Sequence, residues 1–148
     1  MTTEDKELLL KDLCARLPYG VKVLCLRDFN HDWYNLEMVD IGDNEVYVTT
    51  YEPYANRYVK IEEVKPYLFP LSSMTEEQKE ELFFNYIHND IYFDDFTDYF
   101  LAGELWHDIT VSIDVLPELI NWLNKHHLDW RGLIPMGLAN DATNLNIY

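Results

Sequence analysis

Between Glu4 and Arg16 the chain sets Leu8, Leu9, Leu10, Leu13 and Cys14 at offsets that form a broad helical stripe, and Pro18 and Gly20 follow as a stop and a turn. The spacing predicts a first helix. The repeat then shortens to two residues: Val23 and Cys25 face opposite Lys22, Leu24 and Leu26, as in a short strand. Phe29-Asn30-His31-Asp32 reads as a turn. A second strand runs from Trp33 through Tyr34, Leu36 and Met38 to Ile41, and Gly42-Asp43-Asn44 suits a tight reversal. Val46 and Val48 then alternate with Tyr47 and Thr49, and Tyr58-Val59-Lys60-Ile61 makes a last strand after the loop Glu52-Pro53-Tyr54-Ala55-Asn56. The first half thus predicts one helix and a small antiparallel sheet of three or four strands.

At Lys65-Pro66-Tyr67-Leu68-Phe69-Pro70 two prolines fix local backbone angles and predict a packed connector. Thr75 and Gln78 then match a capping box, with Glu76, Glu77, Glu80 and Glu81 near the favourable N-terminal dipole of the helix that follows. Tyr92, Phe93, Phe96, Tyr99 and Phe100 continue at helical offsets, with a break at His88-Asn89-Asp90 or at Gly103. Ile109, Val111 and Ile113 alternate as an extended segment. Asp114 is the expected cap of a final helix carrying Leu116, Leu119, Ile120 and Leu123. Leu133 to Ala139 is apolar enough to dock back, whereas Asn140 onward reads as a polar tail with Tyr148 exposed. The fold class expected is α+β in a single compact domain over 1–148, with submodules at 1–65 (helix plus sheet) and 74–139 (mainly helical).

Charge changes this picture. The 148 residues hold 27 Asp and Glu against 11 Lys and Arg, a formal net charge of -16. Direct nucleic-acid binding is disfavoured, because phosphate contacts depend on cations that release counterions, and anionic lipid would repel the chain. An apolar fraction of 48% still argues for a folded core over an acidic disordered tail. The charge is also local: residues 76–118 contain 12 acids and one base, Lys79, interleaved with nine aromatic residues. No run is long and apolar enough for a membrane span. The opening Met-Thr-Thr-Glu-Asp-Lys lacks a basic leader and apolar region, so a cytoplasmic protein is expected. Cys14 and Cys25 fit reduced, buried thiols better than a disulfide scaffold.

Three kinds of chemistry compete for the central acids. Asp94, Asp95 and Asp98 form a candidate surface for a partner protein with a basic face, since complementary potential speeds encounter and discriminates against acidic partners. The same regular negative charge could mimic DNA and inhibit a nucleic-acid-binding protein. Alternatively, His88, Asp90, Asp94, Asp95 and Asp98 could ligate a divalent ion and activate water, as in a metal-dependent hydrolase. That pattern contains no His-Glu-x-x-His spacing and no calcium loop with its internal glycine. His107-Asp108 lies outside any metal motif, and His126-His127 reads as the C-terminal cap of a helix. Asp129 and Arg131 suit an internal ion pair or a partner contact. Trp33, Trp106, Trp122 and Trp130 serve a core more simply than a ligand pocket. Dinucleotide, phosphate-loop and nucleophile-elbow motifs are missing. No catalytic residue, metal ligand or cofactor is assigned.

Three stretches carry a resemblance: Leu8 to Val21, Lys65 to Glu77, and Trp122-Leu123-Asn124-Lys125-His126-His127-Leu128-Asp129-Trp130-Arg131-Gly132-Leu133-Ile134. Together they resemble a group of small uncharacterised proteins of gut Bacteroides and their mobile or phage-like elements. The resemblance implies a bacterial or phage source and brings no activity, cofactor or site residue. The Tyr92 to Phe100 region and the residues after Ala139 are less characteristic of that group. The expected function is a noncatalytic protein-interaction or regulatory module using an acidic surface, with a metal-dependent hydrolase or other small enzyme and a DNA-mimic inhibitor as alternatives.

Overall fold

The hydroxyl of Thr2 accepts the backbone N–H of Asp5 at 3.1 Å, while the Asp5 carboxylate accepts the Thr2 N–H at 2.7 Å. This reciprocal cap starts α1 (Thr3–Arg16). The computed structural model describes residues 1–28, 31–86 and 114–148. After α1, a single turn of Leu17–Tyr19 ends on Gly20, whose φ of 71° is a left-handed conformation that costs a glycine little. The chain divides into two units, 1–68 with 131–148 and 69–130.

The first unit is a six-stranded sheet of β1 (Lys22–Cys25), β2 (Tyr34–Asp40), β3 (Glu45–Thr49), β4 (Arg57–Lys60), β5 (Val64–Leu68) and β6 (Asn140–Asp141). Their spatial order is β4-β3-β2-β1-β5-β6. The pairs from β4 to β5 are antiparallel, and β5–β6 is parallel. This corrects the expectation of a small antiparallel sheet of three or four strands. The class remains α+β, but the sheet is larger and mixed.

The two added strands come from segments locally unlike strands. The proline connector contains β5, and the polar tail contributes β6. Pro66 lies opposite Val23, while the Leu26 N–H donates to the Glu63 carbonyl at 2.7 Å. Counting along the antiparallel alternation from that bonded pair, Pro66 falls at a position that bonds nothing across to β1, so its missing N–H costs that ladder nothing. Beyond β6, Ala142 is fully buried and its N–H donates to the Leu68 carbonyl at 2.8 Å.

The β2–β3 turn forms as its residues dictate. Asp40 accepts the N–H groups of Gly42 and Asp43, and Asn44 takes a positive φ of 54°. A register shift between Leu36 and Met38 bulges β2. On one face of the sheet Val23, Cys25, Tyr34, Leu36, Val46 and Val48 join Leu9 and Leu13 of α1 in the core, with Leu133, Leu138 and Ala139 completing it. Each valine and leucine among them contributes about 1.5–3 kcal/mol when fully removed from water. A charged group shares this interior: Arg16 Nε lies 2.7 Å and Arg131 Nε 3.3 Å from the two carboxylate oxygens of Asp12. Arg131 thus pairs with Asp12 on α1.

In the second unit, Thr75 and Gln78 form the expected capping box, at 3.2 and 3.0 Å, before α2 (Glu76–Tyr86). The third described helix, α3 (Leu116–Lys125), starts after Val115 with no side-chain cap, so Asp114 stands one residue too early for the role expected of it; Pro117 occupies the first turn. Met74, Leu82, Leu119, Trp122, Leu123 and Leu128 form this unit's apolar cluster. Among the described residues no helix is long and apolar enough to cross a membrane.

Candidate functional site

Asp94, Asp95 and Asp98, together with His88, Asp90, Trp106, His107 and Asp108, lie outside the described residues. Among the described residues, no three His, Cys, Asp or Glu side chains are placed to hold a metal ion. His126 meets an aromatic ring and an amide: its centroid is 4.4 Å from that of Trp122 and its Nδ1 3.2 Å from Gln78 Nε2. Burial holds its pKa below the usual imidazole value, with Glu81 opposing the shift. His127 is buried at a positive φ of 54°, and its backbone N–H donates to the Asn124 carbonyl at 3.1 Å. At this helix end, backbone N–H groups therefore make the capping bonds expected of the histidines. Trp130 donates its indole N–H to Asn124 Oδ1 at 2.9 Å. Cys14 is half-buried and Cys25 buried, both as free thiols.

Polar side chains converge elsewhere, where β1 ends, β2 begins and the β3–β4 turn folds back. Asp28 is buried. Tyr34, the first residue of β2 and fully buried, donates its hydroxyl to Asp28 Oδ2. Arg57, the first residue of β4, donates to the same oxygen at 2.6 Å and stacks its guanidinium 5.5 Å from the Tyr34 ring centroid. His31 sits between two acids: Nδ1 is 3.0 Å from the Tyr34 hydroxyl and 3.5 Å from Asp28 Oδ2, while Nε2 is 3.1 Å from Glu52 Oε2.

The electrostatics follow from burial and pairing. Desolvation, and then the hydrogen bond to Asp28, push the Tyr34 phenol well above its usual range. For Arg57 desolvation pulls the other way, but the interactions it makes with its neighbours, the Asp28 carboxylate the ionised one among them, outweigh it and the pKa rises. Burial drives the Cys25 thiol up to about 11. Glu52 is lowered by hydrogen bonding to Tyr54 and then to His31. Both ring nitrogens of His31 already have partners, and Tyr34 is held as a neutral phenol. The arrangement is chemically a brace.

What the brace holds is aromatic. It fixes the base of the turn from Thr50 to Asn56, where the Thr50 N–H also donates to Asn56 Oδ1 at 3.0 Å. Tyr51 and Tyr54 stand on that turn 80% and 83% exposed, and Tyr58 on the edge strand β4 is 55% exposed. Tyr58 pairs across the strands with Tyr47, ring centroids 4.9 Å apart. Beside the turn is an open cavity of about 120 Å³ lined by His31, Asp32, Trp33, Thr50 and Tyr51.

From the sequence His31 falls in a turn and Glu52 and Tyr54 in a separate loop, with nothing local to join them. The available signal was the run of tyrosines at 47, 51, 54 and 58, dense for a segment with a proline-containing loop. Comparison of the chain with protein-family models, curated proteins and solved structures finds no match.

Proposed function

We propose that this protein is a noncatalytic interaction module that engages a partner protein with a basic surface. The observation that carries the reading is the exposure of Tyr51 and Tyr54 on a turn whose base is pinned by Arg57 bonding the buried Asp28 and Tyr34, and by His31 and Glu52. Tyrosine offers large contact area with few rotatable bonds, and a pre-formed turn spends little ordering entropy on association. The charge supplies the sign of the partner. Residues 31–68 alone hold eight acids against three bases, and the whole chain is at -16. Such a field accelerates encounter with a cationic surface. Asp94, Asp95 and Asp98 extend the acidic contribution in this reading.

The test is binding of a lysine- and arginine-rich peptide of about 20 residues, of the length one interface side engages, at about 50 and about 300 mM salt. Binding should weaken steeply with salt, and Tyr51→Ala with Tyr54→Ala should reduce it at both concentrations. Asp94→Asn, Asp95→Asn and Asp98→Asn together should reduce it chiefly at low salt. Equal binding of a neutral peptide of the same length would overturn the reading.

A further inference from the structure

We propose that the cavity between Trp33 and Tyr51 is where the basic partner inserts one cationic side chain, a lysine ammonium or an arginine guanidinium. This rests on the interaction reading above and gives it a point of entry. The walls fit a cation by chemistry. Trp33 and Tyr51 supply aromatic rings, whose negative faces attract cations, Trp most strongly. Trp33 already draws one cation, the ammonium of Lys22, which sits 4.3 Å from its ring centroid while also bonding Asn35, so the partner's cation has to use the part of the ring that Lys22 leaves open.

The carboxylates set the sign. Asp32 lines the cavity at an exposed position, and its backbone carbonyl accepts the Tyr67 hydroxyl at 2.9 Å, which fixes the backbone there. Asp32 in the lining and Glu52 on His31 stand against Lys22 on Trp33, while Asp28 and Arg57 neutralise each other, formally -1 with His31 neutral. Arg57 is committed to Asp28 and Tyr34, so it does not supply the cavity with a cation of its own. An anion would meet net negative charge there. An uncharged apolar group would forgo both the carboxylates and the ring faces.

The walls are also held in place. His31 presents its ring edge-on to Tyr51, centroids 5.8 Å apart, and Glu52 holds the far nitrogen of His31. The cavity volume of about 120 Å³ suits the tip of one long side chain and excludes a folded segment.

The experiment titrates three blocked pentapeptides, Gly-Gly-Arg-Gly-Gly and its Lys and Gln counterparts, into the full chain. Binding is read from the Trp33 indole and Tyr51 ring resonances. The Arg and Lys peptides should shift both signals saturably, and the Gln peptide should bind roughly tenfold more weakly or not at all. Tyr51→Ala, at an 80% exposed position, should retain the fold and weaken the Arg peptide about three- to tenfold, while Tyr51→Phe stays within about twofold. Asp32→Asn should weaken it and flatten its salt dependence. Equal shifts with the Gln peptide, or an Arg peptide that leaves Trp33 and Tyr51 unmoved, would overturn the proposal. The long basic peptide separates the two levels of failure. If it binds wild type and Tyr51→Ala equally, the cavity is wrong and a basic partner stands; if it does not bind at all, the interaction reading itself fails.

Discussion

The hydroxyl of Tyr148 donates to the backbone carbonyl of Tyr67 at 2.8 Å. The Tyr148 hydroxyl oxygen in turn accepts the Lys22 N–H at 3.0 Å. Continuing the β1–β5 register past Val23 and Pro66 would place Lys22 opposite Tyr67, so the phenol is interposed where the next direct ladder bond would form. Tyr148→Phe removes this relay and leaves one donor and one acceptor to find water. The expected loss of unfolding free energy is about 1–2 kcal/mol, measured as a lower urea midpoint at unchanged slope. A midpoint identical to wild type would show that the relay carries no stability.

Alkali tests the same residue together with Tyr34. Burial holds both phenols above their usual range, with the Asp28 hydrogen bond adding to the effect at Tyr34. An unfolded tyrosine releases its proton at about pH 10. The folded state therefore binds more protons than the unfolded state above that point, and stability falls as pH rises. Thermal unfolding should be insensitive to this pair below about pH 9 and lose stability steadily above about pH 10. In the native protein, ultraviolet titration should show a late-ionising fraction of tyrosines that Tyr34→Phe and Tyr148→Phe reduce.

Asp12 offers a sharper destabilisation. It is fully buried and faces both Arg16 and Arg131. Asp12→Ala strips the carboxylate from two guanidinium groups in a low-dielectric interior and should cost about 3–5 kcal/mol. Replacing Asp12, Arg16 and Arg131 together by Leu, Met and Met removes the charges along with the need to pair them. That triple variant should be markedly more stable than Asp12→Ala, by chemical denaturation. If instead it is the less stable of the two, the ionic group is worth more than its desolvation.

The two thiols should react unequally. Cys25 is buried and its thiol pKa is pushed up to about 11, while Cys14 is half-buried with a smaller upward push from desolvation. At pH near 8 a disulfide reagent should label Cys14 first, and Cys25 only as fast as the sheet opens. Mass spectrometry of partly labelled protein would settle the order.

These sites differ in how far they were legible in the chain. The capping box of Thr75 and Gln78 and the turn at Gly42-Asp43-Asn44 depend on residues within a few positions of each other, and both form as read. Alternation in β3 also reports its buried face directly, with Val46 and Val48 inward. The sheet size was misread because Pro66 and the short Asn140–Asp141 strand are locally unlike strands, and only their neighbours in space make them so. The brace was invisible for a related reason. Asp28 meets Arg57 across 29 positions and His31 meets Glu52 across 21, and no periodicity encodes such pairings.

The first unit is assembled from residues 1–68 and 131–148, and its β5–β6 pair joins strands from the two stretches. During synthesis, residues 69–130 must emerge before the stretch that carries β6, the parallel neighbour of β5, begins to appear. At typical elongation rates this is a wait of about 3–12 s. Throughout that interval Leu133, Leu138 and Ala139 are missing from the core, and Asp12 and Arg16 lack Arg131. The nascent first stretch therefore spends seconds with an open sheet edge and an incomplete ionic group, a window in which chaperone binding or premature strand pairing competes with native closure.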